Sequence, residues 1–499
     1  MYREQTVLLI KIYHCPLIKN FPHILLLGLI FISCKWEKSE LATRGYPDNV
    51  GEIILTKCAV SGCHNDASYS AAGGLNLSSW EKLFEGGNGS ACVIPYRGDF
   101  STLCYYVNTY PELGISLEPT MPLNDKPLSK EEVLALSNWI NNGAPDKSGL
   151  VKFSENPLRK KYYVVNQGCR VVTVFDQETQ LPMRYVDVET GNASPHMIKL
   201  SPDKQYWYIV SIGGSSIKKF RTSDDKYEGE IPIGVGNYNT FCISSDSKKA
   251  YIVDFSANAK IVEVNLENMQ IVNSYTTSDW ANIHGSCLSP DGQFLYVTSQ
   301  LQNRVFKIPV ADFSSYSEII MNSGFSSTVQ GVTDPHELIF SPDGAKYFVS
   351  CTASNEVRVF DASADTLLSI IPTGQYPVEF AFSLNSPYLF VSCMEDVNHL
   401  NTPVTGKKGV ISVINYNNNT LVQHIDAGFY QPHGMSVDDS RNQLIVASRN
   451  QETNGPAPHH TTNCGGRNGY ITFIDINTLQ KTGKRTEVSV DPYSVATRP

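Results

Sequence analysis

Two cysteines and a histidine have the types and spacing of a cofactor-binding motif. Residues 56–66 read TKCAVSGCHND, so Cys58 and Cys63 are separated by four residues and His64 follows directly. Two thiols can bond the vinyl groups of a haem while the adjacent imidazole binds the iron. They can also contribute to a zinc site or form a disulfide. A structural zinc site needs four ligands, and the next cysteines are far along the chain. The motif therefore favours haem, with zinc and a disulfide as the alternatives.

The segments on either side of the motif indicate how it is held. The stretch DNVGEIILTK has apolar residues at helical spacing and predicts a helix that is capped by Asp48 and runs into Cys58. The stretch SKEEVLALSNWINNG predicts a second helix, with a capping box formed by Ser129 and Glu132 and a stop at Gly143. We expect these two helices to bracket the cofactor.

A methionine loop lies between the two predicted helices, with Met121 in the sequence TMP. This layout and the stretches GGLNLSSWEKLFEGG and VIPYRGDFSTLCYYV resemble the c-type cytochrome domains common in planctomycetes and Bacteroidetes. The chain departs from that pattern at YRG, where Pro-Gly is usual, and in a wider cysteine spacing. The resemblance implies one covalent haem c, held through thioethers by Cys58 and Cys63. His64 and Met121 would be the axial ligands of the iron.

The N-terminus predicts export. Residues 1–33 carry basic residues and the apolar run ILLLGLIFIS, which is too short to span a bilayer and typical of a signal peptide. The sequence FISC resembles a bacterial lipobox, which implies lipidation of Cys34 and a linker over 34–45; the alternative is an uncleaved anchor helix. Because export permits disulfides, Cys92 and Cys104, which flank an eleven-residue loop, are expected to pair. The alternative is two buried thiols.

From residue 151 onwards the sequence repeats. The stretches SPHMIKLSPDKQYWYIVS, IHGSCLSPDGQFLYVTS and DPHELIFSPDGAKYFVSC each predict a strand, a tight turn and a second strand. Alignment on the turn yields seven copies, and four short strands in each copy are typical of a propeller blade. The region starts with a second strand, KYYVVN, and ends with a first strand, PYSVATRP, so its two ends are predicted to pair and close the ring. The repeats resemble the YVTN family of seven-bladed propellers.

Histidines recur at one position of these repeats. Histidine occupies four of the seven equivalent first-strand positions, namely His196, His284, His336 and His433. A long loop that is expected to open on the same face carries His459, His460 and Cys464. Neutral imidazoles and a thiolate at one mouth of the propeller suit a second metal such as copper or zinc. The alternative is that the imidazoles only join one blade to the next by hydrogen bonds.

Taken together, these features predict a multidomain chain. A small all-α cytochrome c domain over 46–150 precedes an all-β seven-bladed propeller over 151–499. The net charge of -9 argues against nucleic acid as a partner. We expect a monohaem electron-transfer protein in the cell envelope, anchored by lipid at the periplasmic face or the outer-membrane surface. Its propeller would be a docking platform for a redox partner protein. The alternatives are a redox enzyme with its site at the propeller mouth, and a haem sensor.

Overall fold

The structure, a computed structural model, consists of a helical segment followed by a long series of β-strands. It describes residues 42–321, 333–398, 406–449 and 469–498. The signal peptide and the lipidation site expected at Cys34 lie outside these ranges, as do His459, His460 and Cys464. In the part described, no helix is both long enough and apolar enough to cross a bilayer.

The helical segment contains α1 (Asp48–Lys57), α2 (Trp80–Leu83), α3 (Thr102–Val107) and α4 (Lys130–Asn141). The capping box predicted for α4 is confirmed: Ser129 Oγ accepts a hydrogen bond from Glu132 N, and the Glu132 carboxylate accepts one from Ser129 N at 2.9 Å. Gly143 follows α4 with φ +98°, a left-handed conformation that favours glycine and ends a helix. Asp48 lies in the first turn of α1 and makes no cap, because Pro47 occupies the N-cap.

The strands form six antiparallel sheets in the described part of the chain. Three of them are the sheet β26-β1-β2-β3, a six-stranded sheet β4 to β9, and the sheet β10 to β13. The others are β14 to β17, β18 to β21 and β22 to β25. The bounds of the first half are β1 Lys161–Asn166, β2 Val171–Asp176, β3 Leu181–Asp187, β4 Ser194–Leu200, β5 Tyr206–Arg221, β6 Tyr227–Ile243, β7 Lys249–Asp254, β8 Lys260–Asn265, β9 Gln270–Thr276, β10 Ile283–Leu288, β11 Phe294–Ser299, β12 Arg304–Pro309 and β13 Ser317–Ile320. Those of the second half are β14 Pro335–Phe340, β15 Lys346–Cys351, β16 Glu356–Asp361, β17 Leu367–Pro372, β18 Gln375–Phe382, β19 Tyr388–Glu395, β20 Val410–Asn415, β21 Thr420–Ile425, β22 Pro432–Asp438, β23 Gln443–Ser448, β24 Gly469–Asp475, β25 Gln480–Val488 and β26 Pro492–Arg498.

The sheets are arranged as a β-propeller. Their innermost strands contact one another in a closed ring, in the order β26, β4, β6, β10, β14, β18, β22 and back to β26. We call the space that these strands surround the central channel. Inner strands are buried on both faces, as in β1, whereas an outermost strand such as β9 is largely exposed. The apolar faces of neighbouring sheets therefore pack against each other and leave only the outer edges to solvent.

The two ends of the repeat region pair as predicted. β26, the last strand, runs antiparallel to β1, with Tyr163 opposite Ala496 and Lys161 opposite Arg498. Because a first and a last strand share one sheet, neither leaves an open edge, and unfolding one end must disturb the other.

The helical segment packs against the two outer strands, β2 and β3, of the sheet that β26 closes. One apolar cluster joins helical residues such as Trp80 to Val172 of β2. Phe100 stacks on Tyr185 of β3, with ring centroids 4.2 Å apart and planes inclined by 16°. Arg97 donates a hydrogen bond to the Tyr185 carbonyl at 3.1 Å. Apolar packing therefore holds the helical segment against the propeller.

Candidate functional site

A cavity of about 750 Å³ lies in the helical segment, and the predicted cofactor ligands line it. The four are Cys58, Cys63, His64 and Met121. Most of the remaining wall is apolar and includes Leu75, Leu77, Leu103, Val107, Ile115 and Leu117. This volume is within the range of about 300–1,000 Å³ that small-molecule and cofactor sites occupy. The fold therefore brings together four residues that span more than sixty positions of the chain.

The orientation of His64 is fixed by a hydrogen bond to the backbone. Its Nδ1 lies 3.1 Å from the Leu75 carbonyl oxygen. A carbonyl oxygen can only accept, so Nδ1 carries the proton and Nε2 keeps its lone pair. Metal-binding histidines are oriented in this way, because the hydrogen bond sets both the tautomer and the plane of the ring.

The cysteine loop begins at the C-terminal end of α1. Cys58 N donates to Ile54 O at 3.0 Å, and His64 N donates to Cys58 O at 3.1 Å, which closes the loop. Ser68 Oγ donates to Cys63 O at 2.6 Å and holds the second cysteine. Burial, and then the neighbouring Cys63, raise the pKa of the Cys58 thiol to about 12. Cys58 is therefore a neutral thiol at physiological pH in the absence of a cofactor.

Met121 is held on another wall of the cavity by backbone hydrogen bonds. Its N–H donates to Tyr106 O at 2.8 Å, and Leu117 N donates to Tyr105 O at 3.0 Å. The Asn108 side chain donates to Gly114 O at 3.1 Å and secures the turn that precedes this loop. These bonds attach the methionine loop to α3 and its C-terminal end, so Met121 stays at the cavity even though its loop lacks regular structure.

The disulfide expected between Cys92 and Cys104 is absent, and that prediction was wrong. Both residues are free thiols. Cys92 is buried and lines the cavity, whereas the Cys104 thiol is hydrogen-bonded to Ser137 of α4. Burial raises the pKa of both thiols, to about 12 for Cys92 and about 11 for Cys104.

Most of the described cysteines of the propeller are free thiols. Cys242, Cys351 and Cys393 are buried free thiols on strands, and Cys287 is a half-buried free thiol on β10. Cys169 differs, because it lies in the turn between β1 and β2 and is disulfide-bonded.

The propeller contributes one residue to the cavity wall, and sequence reasoning missed it. Glu487 of β25 lines the cavity; its N–H donates to Gly89 O at 3.0 Å, and its carbonyl accepts from Ser90 Oγ at 2.9 Å. Local sequence carries no signal for this contact, because Glu487 and Ser90 are 397 positions apart.

The predicted histidines do meet in the central channel. The rings of His284 and His336 are 4.0 Å apart, and those of His336 and His433 are 6.3 Å apart, between centroids. His433 and His196 lie 3.6 Å and 4.4 Å from the ring of Tyr493. The cluster is therefore compact, and all four histidines are buried.

Two of these histidines, His284 and His196, form hydrogen bonds to residues of a neighbouring blade. His284 Nδ1 lies 3.2 Å from the His336 carbonyl oxygen and donates to it, which links β10 to β14. His196 Nδ1 is 2.8 Å from Gln167 Nε2, in the turn between β1 and β2. The alternative expectation that imidazoles join blade to blade is thus met at these two positions.

Comparison with known proteins identifies the propeller. Residues 170–402 match the family model described as "Lactonase, 7-bladed beta-propeller". This match supports a β-propeller of the lactonase type over that part of the chain. No curated protein sequence matches the chain.

Three solved structures are similar at low sequence identity. Hydrazine synthase of Kuenenia stuttgartiensis is 17% identical with a TM-score of 0.45, over 58% of this chain and 79% of that one. The dihydro-heme d1 dehydrogenase NirN, in complex with DHE, is 14% identical with a TM-score of 0.48, over 83% and 94%. A functionally unknown protein from Desulfotomaculum acetoxidans is 14% identical with a TM-score of 0.48, over 68% and 98%.

Proposed function

We propose that residues 46–150 are a c-type cytochrome domain and that the protein transfers electrons through one covalently bound haem. The observation that carries this proposal is the cavity of about 750 Å³, whose wall holds both cysteines, His64 and Met121. The cysteines would form the thioether bonds, and His64 and Met121 would be the axial ligands. When bound, haem supplies an iron that changes oxidation state by one electron.

The cavity fits a haem in its chemistry. Its wall is largely apolar, as a porphyrin face requires. His64 presents Nε2 as a ligand because Nδ1 is bonded to Leu75 O. Zinc is a poor alternative, because Cys58, Cys63 and His64 are not among the described side chains whose ligand atoms lie close enough together to hold one metal ion. Met121 at the wall supports a six-coordinate iron and argues against a sensor, which would leave the sixth position vacant or labile.

The position of the cavity supports separate roles for the haem and the central channel. The cavity touches β25, an outermost strand, through Glu487. Adjacent strands are about 4.8 Å apart, so an outermost strand lies about 14 Å from the innermost one. A haem at the outer edge can exchange electrons with a docked protein, and the propeller then supplies the docking surface for that redox partner.

The ring of inner strands supports a propeller of seven blades, although six sheets are formed. Strands β5 and β6 are 16 and 17 residues long, more than twice the usual blade strand. Gly213 at the middle of β5 has φ +69°. Trp207 stacks on Phe220, with centroids 3.8 Å apart, and Thr222 N donates to Gln205 O at 2.9 Å. These contacts are those of a hairpin, so we propose that β5 folds back on itself and that the six-stranded sheet comprises two blades.

The cellular location follows from the N-terminus and remains part of the proposal. A signal peptide over 1–33 and lipidation at Cys34 would attach the protein to a membrane of the cell envelope. Replacing Cys34 with Ala should then release the mature protein or leave an unprocessed precursor. Unchanged processing, with no fatty acid incorporated into the parent protein, would contradict lipidation.

The haem proposal is tested by maturing the full chain in a host with a c-type cytochrome assembly system. We expect one iron per chain, a low-spin absorption spectrum and haem that stays attached after acid-acetone treatment of the unfolded protein. Cys58→Ser combined with Cys63→Ser should abolish covalent attachment, whereas the control Cys287→Ser, in the propeller, should retain it. Haem that is extracted from the parent protein would contradict the proposal.

A further inference from the structure

Three side chains in the central channel have the types and spacing of a metal site. One of them is a glutamate, which the repeated histidine pattern of the sequence did not include. His284 lies on β10, and His336 and Glu337 lie on the neighbouring strand β14. One ligand atom from each lies within 4.8 Å of the other two. The side chains are 2%, 0% and 7% exposed, so the cluster is buried. It is separate from the cavity around His64.

Two atoms of this cluster are buried and lack a hydrogen-bond partner among the described residues. They are Nε2 of His284 and Oε1 of Glu337. Because Nδ1 of His284 donates to His336 O, the bare Nε2 carries the lone pair that a metal would use. A buried carboxylate oxygen without a donor destabilises the folded protein, and more so when it is charged. Oε1 of Glu337 lies 3.6 Å from Nδ1 of the His284 imidazole, so the ring must turn before Nε2 and Oε1 meet at one cation.

We propose that His284, His336 and Glu337 bind a divalent transition metal of the zinc class in the central channel. Two imidazole nitrogens and one carboxylate oxygen form a ligand set that zinc accepts, and such sites keep a further position open for water or substrate. Metal–ligand distances of about 2.0–2.1 Å require the ligand atoms to be about 3.4 Å apart. The three side chains must therefore close by an ångström or so when the ion binds.

The test is zinc binding by the haem-containing full chain. Protein is dialysed against Zn²⁺, and zinc and iron are counted separately by elemental analysis, so that the haem site does not contribute to the zinc count. We expect one zinc per chain in the parent protein and in the control His424→Gln, whose histidine lies on the outer strand β21. Glu337→Gln and His284→Gln should bind this zinc at least tenfold more weakly. Equal zinc content and affinity in all four proteins would overturn the site.

The melting temperature, Tm, distinguishes a variant that has lost the zinc site from one that misfolds. Zinc should raise the Tm of the parent protein and of His424→Gln and leave that of Glu337→Gln unchanged. Without zinc, Glu337→Gln should melt no lower than the parent, because the substitution removes an unsatisfied buried charge. A zinc-free variant that melts well below the parent, or a zinc-induced rise of the same size in both, would contradict the proposal.

Discussion

One buried aspartate, Asp225, connects the sheet β26-β1-β2-β3 to the six-stranded sheet β4 to β9. We predict that Asp225→Asn destabilises the fold strongly. Asp225 lies in the turn between β5 and β6 and accepts from Lys161 Nζ at 2.8 Å and from Arg184 Nη1 at 3.1 Å. It also accepts from the Tyr163 hydroxyl at 3.2 Å. Lys161, Tyr163 and Arg184 all belong to the sheet that β26 closes. The carboxylate therefore connects that sheet to the next one.

The size of the expected destabilisation follows from the burial of the ion pair between Lys161 and Asp225. The side chains of Lys161 and Asp225 are each 1% exposed. Removing one charge of a buried pair leaves the other uncompensated, which typically costs about 3–5 kcal/mol. We expect a loss of this size in the free energy of unfolding at neutral pH. Lys161 keeps its hydrogen bond to Thr222 O at 2.8 Å, so the ammonium group is not stripped of every acceptor.

The loss of unfolding free energy in Asp225→Asn should become smaller as the pH rises. Burial lowers the pKa of Lys161, and the Asp225 charge opposes that effect. Without the carboxylate the folded-state pKa falls further below the unfolded value near 10.4, so the unfolded chain binds more protons over that interval. The stability deficit of Asp225→Asn should therefore shrink as the pH rises towards about 10.

The measurement is urea unfolding of the parent, Asp225→Asn and the neighbouring control Asp224→Asn. Asp224 pairs with Arg221 at the surface, with side chains 34% and 44% exposed, and such pairs contribute only about 0–1 kcal/mol. A deficit of Asp225→Asn within about 1 kcal/mol of the control at neutral pH would refute the assignment of a critical buried pair. A deficit that grows with pH would refute the role of Lys161.

Three further outcomes are expected. If Met121 is an axial ligand, Met121→Ala should lower the reduction potential of the haem and open one coordination position, measured by redox titration and absorption spectroscopy; an unchanged potential would exclude it. Ser129→Ala should cost about 1 kcal/mol in urea unfolding, because it removes half of the capping box of α4, and no loss would show that the cap is dispensable. Burial raises the pKa of Tyr163 and Tyr493 well above 10, so their stabilisation is complete below that pH and is lost as the pH rises further. Ultraviolet titration should therefore show these tyrosines ionising only with unfolding, and earlier ionisation would contradict their burial.

Features that depend on neighbouring residues were predictable from the sequence. The capping box of Ser129 and Glu132 and the stop at Gly143 were predicted as they occur, because helix ends are set by groups within a few positions of each other. The prediction for the start of α1 was less accurate, because Pro47 and not Asp48 occupies the N-cap. The pairing of β26 with β1 followed from counting strands, which needs no knowledge of side-chain contacts.

Pairings between cysteines could not be predicted in the same way. Cys92 and Cys104 have a suitable spacing, yet one sulfur lines the cavity and the other bonds Ser137. A disulfide needs specific distances and angles between two Cβ atoms, and those are set by how α3, α4 and the loop pack. Spacing along the chain carries no information on that packing.

The sequence by itself determined the repeat architecture, the ends of α4 and the set of residues that we propose bind a haem, because period, turn chemistry and motif spacing are local. Only the tertiary structure decided that Glu487 joins the wall of the cavity, and that Glu337 stands beside His284 and His336 in the channel. It also decided that Asp225 joins two sheets through Lys161. These contacts link residues that are tens to hundreds of positions apart. Their distances are set by the packing of whole sheets against one another, which no local pattern encodes.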